Sequence, residues 1–197
     1  YALGNVLGAM CVVGPSGVGK TETGRILLRE VGKAGWLTAE VVNPSGDARE
    51  LIEVLAYRLG APMREGVPPL ARLVDHLQAM RAQGTGVCLL VDELQTLRDP
   101  AILENLRMLL NIEVQGRRVV NMILAGQAGL DAMLRDASGF DSHLAMVVRL
   151  KPLPEEESKQ YMLYRLKVAG CSRGVFTRHA AEEIHRLSGG IPRDINR

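Results

Sequence analysis

The chain has 197 residues, of which 47% are hydrophobic and 23% are charged, and its formal net charge is +2. This composition predicts an ordinary globular protein, with one large domain or one domain plus an appendage. Charges of both signs are interleaved along the chain, which excludes a basic nucleic-acid tail and an acidic solvating segment.

The cysteines and the apolar runs bear on the compartment of the chain. Cys11, Cys88 and Cys171 lie far apart, which favours a reduced, cytosolic protein. No apolar run approaches the roughly 20 residues that span a bilayer, and the first residues lack the layout of a signal peptide. We therefore expect a soluble chain, and its start at Tyr1, without a methionine, is typical of a fragment.

In chain order, short β-rich runs alternate with amphipathic stretches. The pattern predicts strands at 9–14, 36–44, 86–93, 119–127 and 145–150. It predicts intervening helices at 21–35, 47–62, 69–84, 100–111 and 128–136. Such alternation is typical of a parallel sheet flanked by helices, so we predict the α/β fold class.

The character of the sequence changes after residue 150. Pro154 is followed by three glutamates, which marks a helix start, and no β-rich run comes later. We predict helices at 155–170 and at 177–190, the second with Thr177 as its N-cap, and a further helix opened by Pro192. The predicted domains are an α/β core over residues 1–150 and a small, partial helical lid over residues 151–197.

The stretch GPSGVGKT, residues 14–21, joins the first predicted strand to the first predicted helix and fits the pattern G-x-x-x-x-G-K-[ST]. Glycines let backbone N–H groups surround phosphate oxygens, lysine reaches the terminal phosphates, and the threonine hydroxyl can ligate Mg²⁺. The alternative is a glycine-rich turn that contains a lysine by chance. The residues expected to hold the nucleotide are Gly14, Pro15, Ser16, Gly17, Val18, Gly19, Lys20, Thr21 and Glu22.

The run VCLLVDE, residues 87–93, has the pattern of a buried strand and ends in two acids. Ligands of open α/β sheets bind at the carboxyl ends of strands, so we expect Asp92 to hold Mg²⁺ together with Thr21. Glu93 adds a second carboxylate, which can orient or deprotonate a water that attacks the γ-phosphate. The alternative is a strand that ends in two solvated acids.

Two more polar residues are candidates for sensing the γ-phosphate. Gln127 ends the predicted strand NMILAGQ, where its amide can hydrogen-bond the phosphate and the attacking water. Arg193 follows Pro192 in the first turn of a predicted helix, where the helix dipole disfavours a cation unless an anion is near. A polar strand end and a plain surface arginine are the alternatives. The histidines lack metal-ligand spacing, and we interpret all of them as structural or solvated: His76, His143, His179 and His185.

In this order, the motifs resemble those of an AAA+ ATPase of the general secretion pathway A group, also called ExeA-like. The resemblance rests on VVNP (41–44), VDELQTL (91–97), AGQAGL (125–130), LKPLPEEES (150–158) and SGGIPRDINR (188–197). It implies a cytoplasmic, Mg-dependent ATPase that self-associates and relays its nucleotide state to a secretion-assembly partner. It also implies ATP in preference to GTP, and any contact with the inner membrane would come through segments outside these residues. The resemblance implies catalytic roles for Lys20, Glu93, Gln127 and Arg193.

One position departs from the AAA+ pattern. Such assemblies complete the site with an arginine from the neighbouring subunit, and at the expected position this chain has His143, with Arg149 or Arg135 as substitutes. We therefore expect slow turnover by the isolated chain. Two other functions stay open: a MuB/TnsC-like transposition regulator that binds DNA in an ATP-dependent way, and a nucleotide-binding scaffold that barely hydrolyses.

Overall fold

The computed structural model describes residues 8–44, 46–97, 99–137, 139–171 and 173–197. The contacts divide the chain into two units. The first unit runs up to Val13 and continues over Thr21–Arg149, and the second consists of Gly14–Lys20 and Leu150–Arg197. The domain boundary at residue 150 stays a prediction, because the glycine-rich loop groups with the C-terminal residues.

The β-rich runs of the sequence form a parallel sheet in the first unit. The strands are β1 (Ala9–Val13), β2 (Leu37–Val42), β3 (Val87–Asp92), β4 (Glu113–Val114), β5 (Arg117–Arg118), β6 (Val120–Gly126) and β7 (Leu144–Arg149). The parallel sheet has the strand order β2-β3-β6-β1-β7, whereas β4 and β5 form a separate antiparallel pair. This topology confirms the predicted α/β class.

The register of the sheet brings the carboxyl ends of its strands to one edge. Val42 is paired with Asp92 between β2 and β3, and Val13 is paired with Gly126 between β1 and β6. All residues of β1 and β3 are buried, which explains their continuous apolar runs, since a strand covered on both faces needs no polar alternation. Polar residues at the ends of these strands are therefore brought together.

Five helices alternate with the strands of the sheet. They are α1 (Lys20–Lys33), α2 (Ala48–Arg58), α3 (Pro69–Ala82), α4 (Ala101–Leu110) and α5 (Leu130–Asp136). The core of the first unit joins the apolar faces of α2, α3, α4 and α5 to the sheet, and it includes Leu55, Leu77, Leu106 and Phe140. Two short 3-10 helices, Leu94–Thr96 and Asp141–His143, were not predicted from the sequence. No helix in the described ranges is both long and apolar enough to cross a membrane.

The C-terminal part of the second unit is helical, as predicted. Its helices are α6 (Glu155–Val168), α7 (Arg178–Ser188) and α8 (Pro192–Ile195). The Thr177 side chain accepts the Ala180 N–H at 3.2 Å, so it caps α7 as expected. Glycine is required at Gly190, because a Cβ there would overlap the Leu153 carbonyl and the residue has a φ of 73°. Gly189 and Gly190 therefore end α7, with Gly190 against the segment that precedes α6.

Candidate functional site

The carboxyl end of β3 places an acid against the first turn of α1. Asp92 is the last residue of β3 and is completely buried. Its Oδ2 accepts a hydrogen bond from the Thr21 hydroxyl, and its Oδ1 accepts the Glu93 N–H at 2.8 Å. A buried carboxylate needs such donors because it has lost its hydration. The structure thus brings together the two residues that were predicted to ligate Mg²⁺.

The chemistry of this pair fits magnesium. Mg²⁺ prefers oxygen ligands, and one or two from the protein suffice when substrate phosphates and waters supply the others. Thr21 and Asp92 offer a hydroxyl and a carboxylate in contact. Elsewhere, the part of the chain that the structure describes has no group of three or more His, Cys, Asp and Glu residues that could hold a metal ion.

Glu93 has an uncommon backbone conformation. Its φ is 59°, in the left-handed region that residues other than glycine and asparagine seldom adopt. The residue links β3 to the 3-10 helix Leu94–Thr96 and is partly exposed, so water can reach its carboxylate. Backbone strain of this kind persists only where the surroundings impose it, and it is concentrated at functional sites.

Two residues that the sequence analysis left without a role support this turn. Asn43 follows β2 with a φ of 55°, and its N–H donates to the Asp92 carbonyl at 3.0 Å. Thr96 Oγ1 lies 2.7 Å from both Asn43 Oδ1 and the Glu93 carbonyl oxygen. In the sequence, the feature that could have pointed to Asn43 is the Asn-Pro pair after the second predicted strand. Asn43 and Thr96 together hold the turn in which Glu93 stands.

The amide of Gln95 connects the ends of β3 and β6. Its Oε1 accepts the Gln127 N–H at 3.0 Å, and its Nε2 donates to Glu93 Oε2. The side chain of Gln127, a predicted site residue, is exposed just beyond β6. The structure therefore brings Gln127 to the same sheet edge as Glu93. Gln95 was assigned no role from the sequence, although the motif VDELQTL contains it.

In the second unit, the loop of residues 14–20 needs glycine for two different reasons. Gly17 and Gly19 have φ values of 83° and 101°, which disfavour any side chain. At Gly17 a Cβ would also lie 2.8 Å from Ile191 Cγ2 and 2.9 Å from Arg193 Cβ. At Gly19 no atom of the described residues lies within 4 Å of such a Cβ. Packing and backbone conformation therefore both require glycine at position 17, whereas backbone conformation alone requires it at position 19.

Lys20 is a buried cation, only 5% exposed, whose Nζ donates to the Pro15 carbonyl at 2.9 Å. It takes part in none of the ion pairs found among the described residues. A buried ammonium without a counter-charge is unfavourable, and a phosphate would supply that charge. The amino-terminal end of α1, which begins at Lys20, also favours an anion.

Arg193 contacts the loop directly. Its Nη1 donates to Ser16 Oγ at 3.0 Å, and its backbone N–H donates to the Gly17 carbonyl at 3.1 Å. Pro192, which begins α8, fixes the first turn in which Arg193 stands. The structure thus brings Arg193 to the predicted phosphate loop, and its role as a phosphate sensor stays a prediction.

His143, Arg149 and Arg135 were considered for the arginine that one subunit contributes to the site of its neighbour, and their environments differ. His143 is 6% exposed, and burial, together with the positive charges of Arg118 and Arg107, lowers its pKa below the usual histidine value. The lowered pKa favours the neutral imidazole, which carries no positive charge. The two substitutes are exposed arginines, Arg149 bound to Asp131 and Arg135 at 4.0 Å from Asp141.

The sequence is similar to known proteins over its whole length. Residues 7–134 match the AAA domain family. The chain is 36% identical over 201 residues to general secretion pathway protein A of Aeromonas hydrophila. That alignment covers 100% of this chain and 36% of the relative, so the chain spans little more than a third of that protein.

Solved structures show the same fold at lower sequence identity. Cdc6p from Pyrobaculum aerophilum has a TM-score of 0.77 and 24% identity, over 99% of this chain and 54% of that one. The ORC2 protein of Aeropyrum pernix, in its ADPNP-ADP complexes, has a TM-score of 0.74 and 17% identity, over 98% and 56%. A single-residue variant of RuvB from Thermotoga maritima has a TM-score of 0.62 and 18% identity, over 98% and 53%. These similarities concern the fold.

Proposed function

Because this chain belongs to the AAA+ family, in the group of general secretion pathway protein A, we propose that it binds Mg-ATP and hydrolyses it. The observation that carries the proposal is the contact between the Thr21 hydroxyl and the Asp92 carboxylate at the carboxyl end of β3. The buried Lys20, which precedes Thr21 in the chain, adds an uncompensated positive charge that favours a polyphosphate.

Each residue of the site has a distinct part in this proposal. The loop N–H groups and Lys20 bind the phosphates, and Thr21 and Asp92 hold the metal, which when bound neutralises charge on the phosphoryl oxygens. Glu93 orients the attacking water and accepts its proton. Gln127 and Arg193 contact the γ-phosphate and distinguish ATP from ADP.

We further propose that the chain acts as an assembly. The lowered pKa of His143 favours a neutral imidazole, so a second copy is expected to supply the missing positive charge through Arg149 or Arg135. Both are exposed at the surface of the first unit. The similarity to general secretion pathway protein A suggests a cytoplasmic module whose nucleotide state is relayed to a secretion-assembly partner.

The proposal is tested by measuring Mg-ATP binding and phosphate release with Lys20→Ala and Lys33→Ala. Lys33 is an exposed lysine at the other end of α1, where it pairs with Glu30, and it serves as the matched control. Lys20→Ala should weaken binding by about tenfold to a hundredfold, the range for a hydrogen bond to a charged group. Lys33→Ala should bind as the parent does. Equal affinity in the two variants would contradict the assignment of the phosphate loop.

Self-association is tested separately through the dependence of turnover on protein concentration. A site completed by a second copy gains specific activity as the protein assembles, so phosphate release per chain should rise with concentration. Removal of magnesium should abolish release at every concentration. A constant specific activity would contradict the shared site and leave the binding of Mg-ATP untouched.

A further inference from the structure

Gln95 makes a pair of hydrogen bonds that joins two separate parts of the proposed site. It stands in the 3-10 helix between Leu94 and Thr96, two residues beyond Glu93 in the chain. Its side-chain amide accepts from the Gln127 N–H at 3.0 Å and donates to the Glu93 carboxylate. One neighbour is thus the predicted base, and the other is the backbone of the predicted sensor, 32 positions along the chain.

The chemistry of the two neighbours fixes which way the amide points. A backbone N–H can only donate, so it requires the carbonyl oxygen of the glutamine. An ionised carboxylate can only accept, so it requires the NH₂ group. With the amide reversed, both hydrogen bonds would be lost. The NH₂ group would face the Gln127 N–H, and the carbonyl oxygen would face the Glu93 carboxylate. Gln95 therefore has one satisfactory orientation, and only an amide of this length satisfies both neighbours.

Packing holds this amide in place. Leu94, the preceding residue, is completely buried and anchors the 3-10 helix in the core. On the other side, a Cβ at Gly126 would lie 2.8 Å from Gln95 Oε1 and 2.7 Å from Leu130 Cδ2. The absence of a side chain at Gly126 thus makes room for the carbonyl group of Gln95 at the end of β6.

We propose that Gln95 is a positioning residue: it holds the Glu93 carboxylate in place and ties it to the strand end that carries Gln127. This inference rests on the proposed hydrolysis of ATP. A carboxylate that acts on water has to be held within a narrow range of positions, and the carboxylate of Glu93 lies at the end of a flexible side chain. With the bridge in place, the position of the β6 end sets the position of the base.

The test uses two substitutions that separate the two hydrogen bonds. Gln95→Glu keeps an oxygen for the Gln127 N–H but turns the donor that faces Glu93 into a second carboxylate. Gln95→Met keeps the length of the side chain and loses both hydrogen bonds. Gln78→Ala, at an exposed glutamine of α3, is the matched control. For each variant we would measure the thermal midpoint, the Kd for Mg-ATP, and kcat and KM for phosphate release.

The expected result is a loss confined to the catalytic step. Gln95→Glu and Gln95→Met should lower kcat by about tenfold to a hundredfold, the range for one hydrogen bond to a charged group. Their Kd and KM should stay within about twofold of the parent, because the Gln95 side chain bonds to the proposed base and to the Gln127 N–H, and not to the proposed phosphate-binding residues. Gln95→Met in a Glu93→Gln background should lower the residual rate no further, since both changes act through the same base.

Different results would overturn the inference in recognisable ways. If Gln95 only packs the strand end, Gln95→Glu keeps kcat, and Gln95→Met lowers the thermal midpoint without a specific loss of kcat. That outcome overturns the inference and leaves the proposed ATPase intact. A parent chain that does not hydrolyse Mg-ATP, or a Glu93→Gln variant with full turnover, would overturn the proposed function and this inference with it. Gly126→Ala provides a second test, because the added Cβ would displace the Gln95 carbonyl oxygen from the end of β6. The same loss of kcat is expected.

Discussion

Alanine at Gly24, in the interior of α1, is expected to disturb the site through its packing against the sheet. A Cβ at Gly24 would lie 2.7 Å from Leu90 Cδ1 and 3.1 Å from Leu90 Cδ2. Leu90 belongs to β3 and is completely buried, so any movement of its side chain disturbs a close-packed core. Gly32, in the same helix, offers a matched control, because among the described residues its Cβ would meet only Thr38, at an ordinary 3.7 Å.

The size of the effect follows from these distances. Carbon atoms rest at about 3.5–4.0 Å, so relief of the Gly24 clash requires a shift of about 1 Å between α1 and β3. Overpacking of this kind costs about 1–3 kcal/mol, whereas replacement of a helical glycine by alanine returns about 0.5–1 kcal/mol. We expect a net loss of about 0–2.5 kcal/mol for Gly24→Ala and a gain of about 0.5–1 kcal/mol for Gly32→Ala. The thermal midpoints should move by about 2–4 °C per kcal/mol.

The same shift should reach the magnesium ligands. Thr21 lies one helical turn before Gly24, and Asp92 lies two residues after Leu90. Separation of α1 from β3 therefore pulls the Thr21 hydroxyl away from the Asp92 carboxylate. We expect the rate of phosphate release from Mg-ATP to fall by about tenfold or more, since a displacement near 1 Å at a site can cost up to a hundredfold in rate. Thermal unfolding and phosphate-release assays of both variants check this, and equal stability of the two would refute the packing argument.

Two further predictions concern the buried thiols and the cap of α7. Burial raises the pKa of Cys11 and of Cys88 to about 12, so both stay protonated at pH 8, and iodoacetamide should modify only Cys171 in the native chain. Mass spectrometry after brief labelling would show this, and rapid modification of Cys88 would contradict its burial. Thr177→Ala removes the acceptor of the Ala180 N–H and should cost about 1 kcal/mol, which speeds hydrogen exchange in the first turn of α7 by about fivefold. Unchanged exchange there would show that the cap contributes nothing.

Local chemistry explains why much of the fold could be predicted from the sequence. The strands of the sheet and the long helices follow hydrophobic runs and periodicities, and their ends fall within a few residues of the predicted positions. The glycine-rich loop and Asp92 follow from motifs whose mechanism is local. Thr177 caps α7 because a threonine oxygen can reach the N–H group three residues on.

The missed features depend on long-range pairing or on unusual backbone conformations. The bridge from Gln95 to Gln127 exists only because β3 pairs with β6, and no local pattern indicates which strands are neighbours. The β4–β5 hairpin turns at Gln115 and Gly116 with φ values of 54° and 70°, and Gln-Gly is a weaker turn signal than Asn-Gly. Likewise, the left-handed conformations of Asn43 and Glu93 are imposed by their neighbours in the fold.

The decisive measurement compares binding and hydrolysis of Mg-ATP in the Glu93→Gln variant. The substitution removes the carboxylate that is proposed to accept the proton, and it leaves Lys20, Thr21 and Asp92 unchanged. The mechanism predicts a Kd for Mg-ATP within about twofold of the parent and a single-turnover rate at least about a hundredfold lower, as expected for loss of a general base. Hydrolysis at the parent rate would contradict the proposed mechanism.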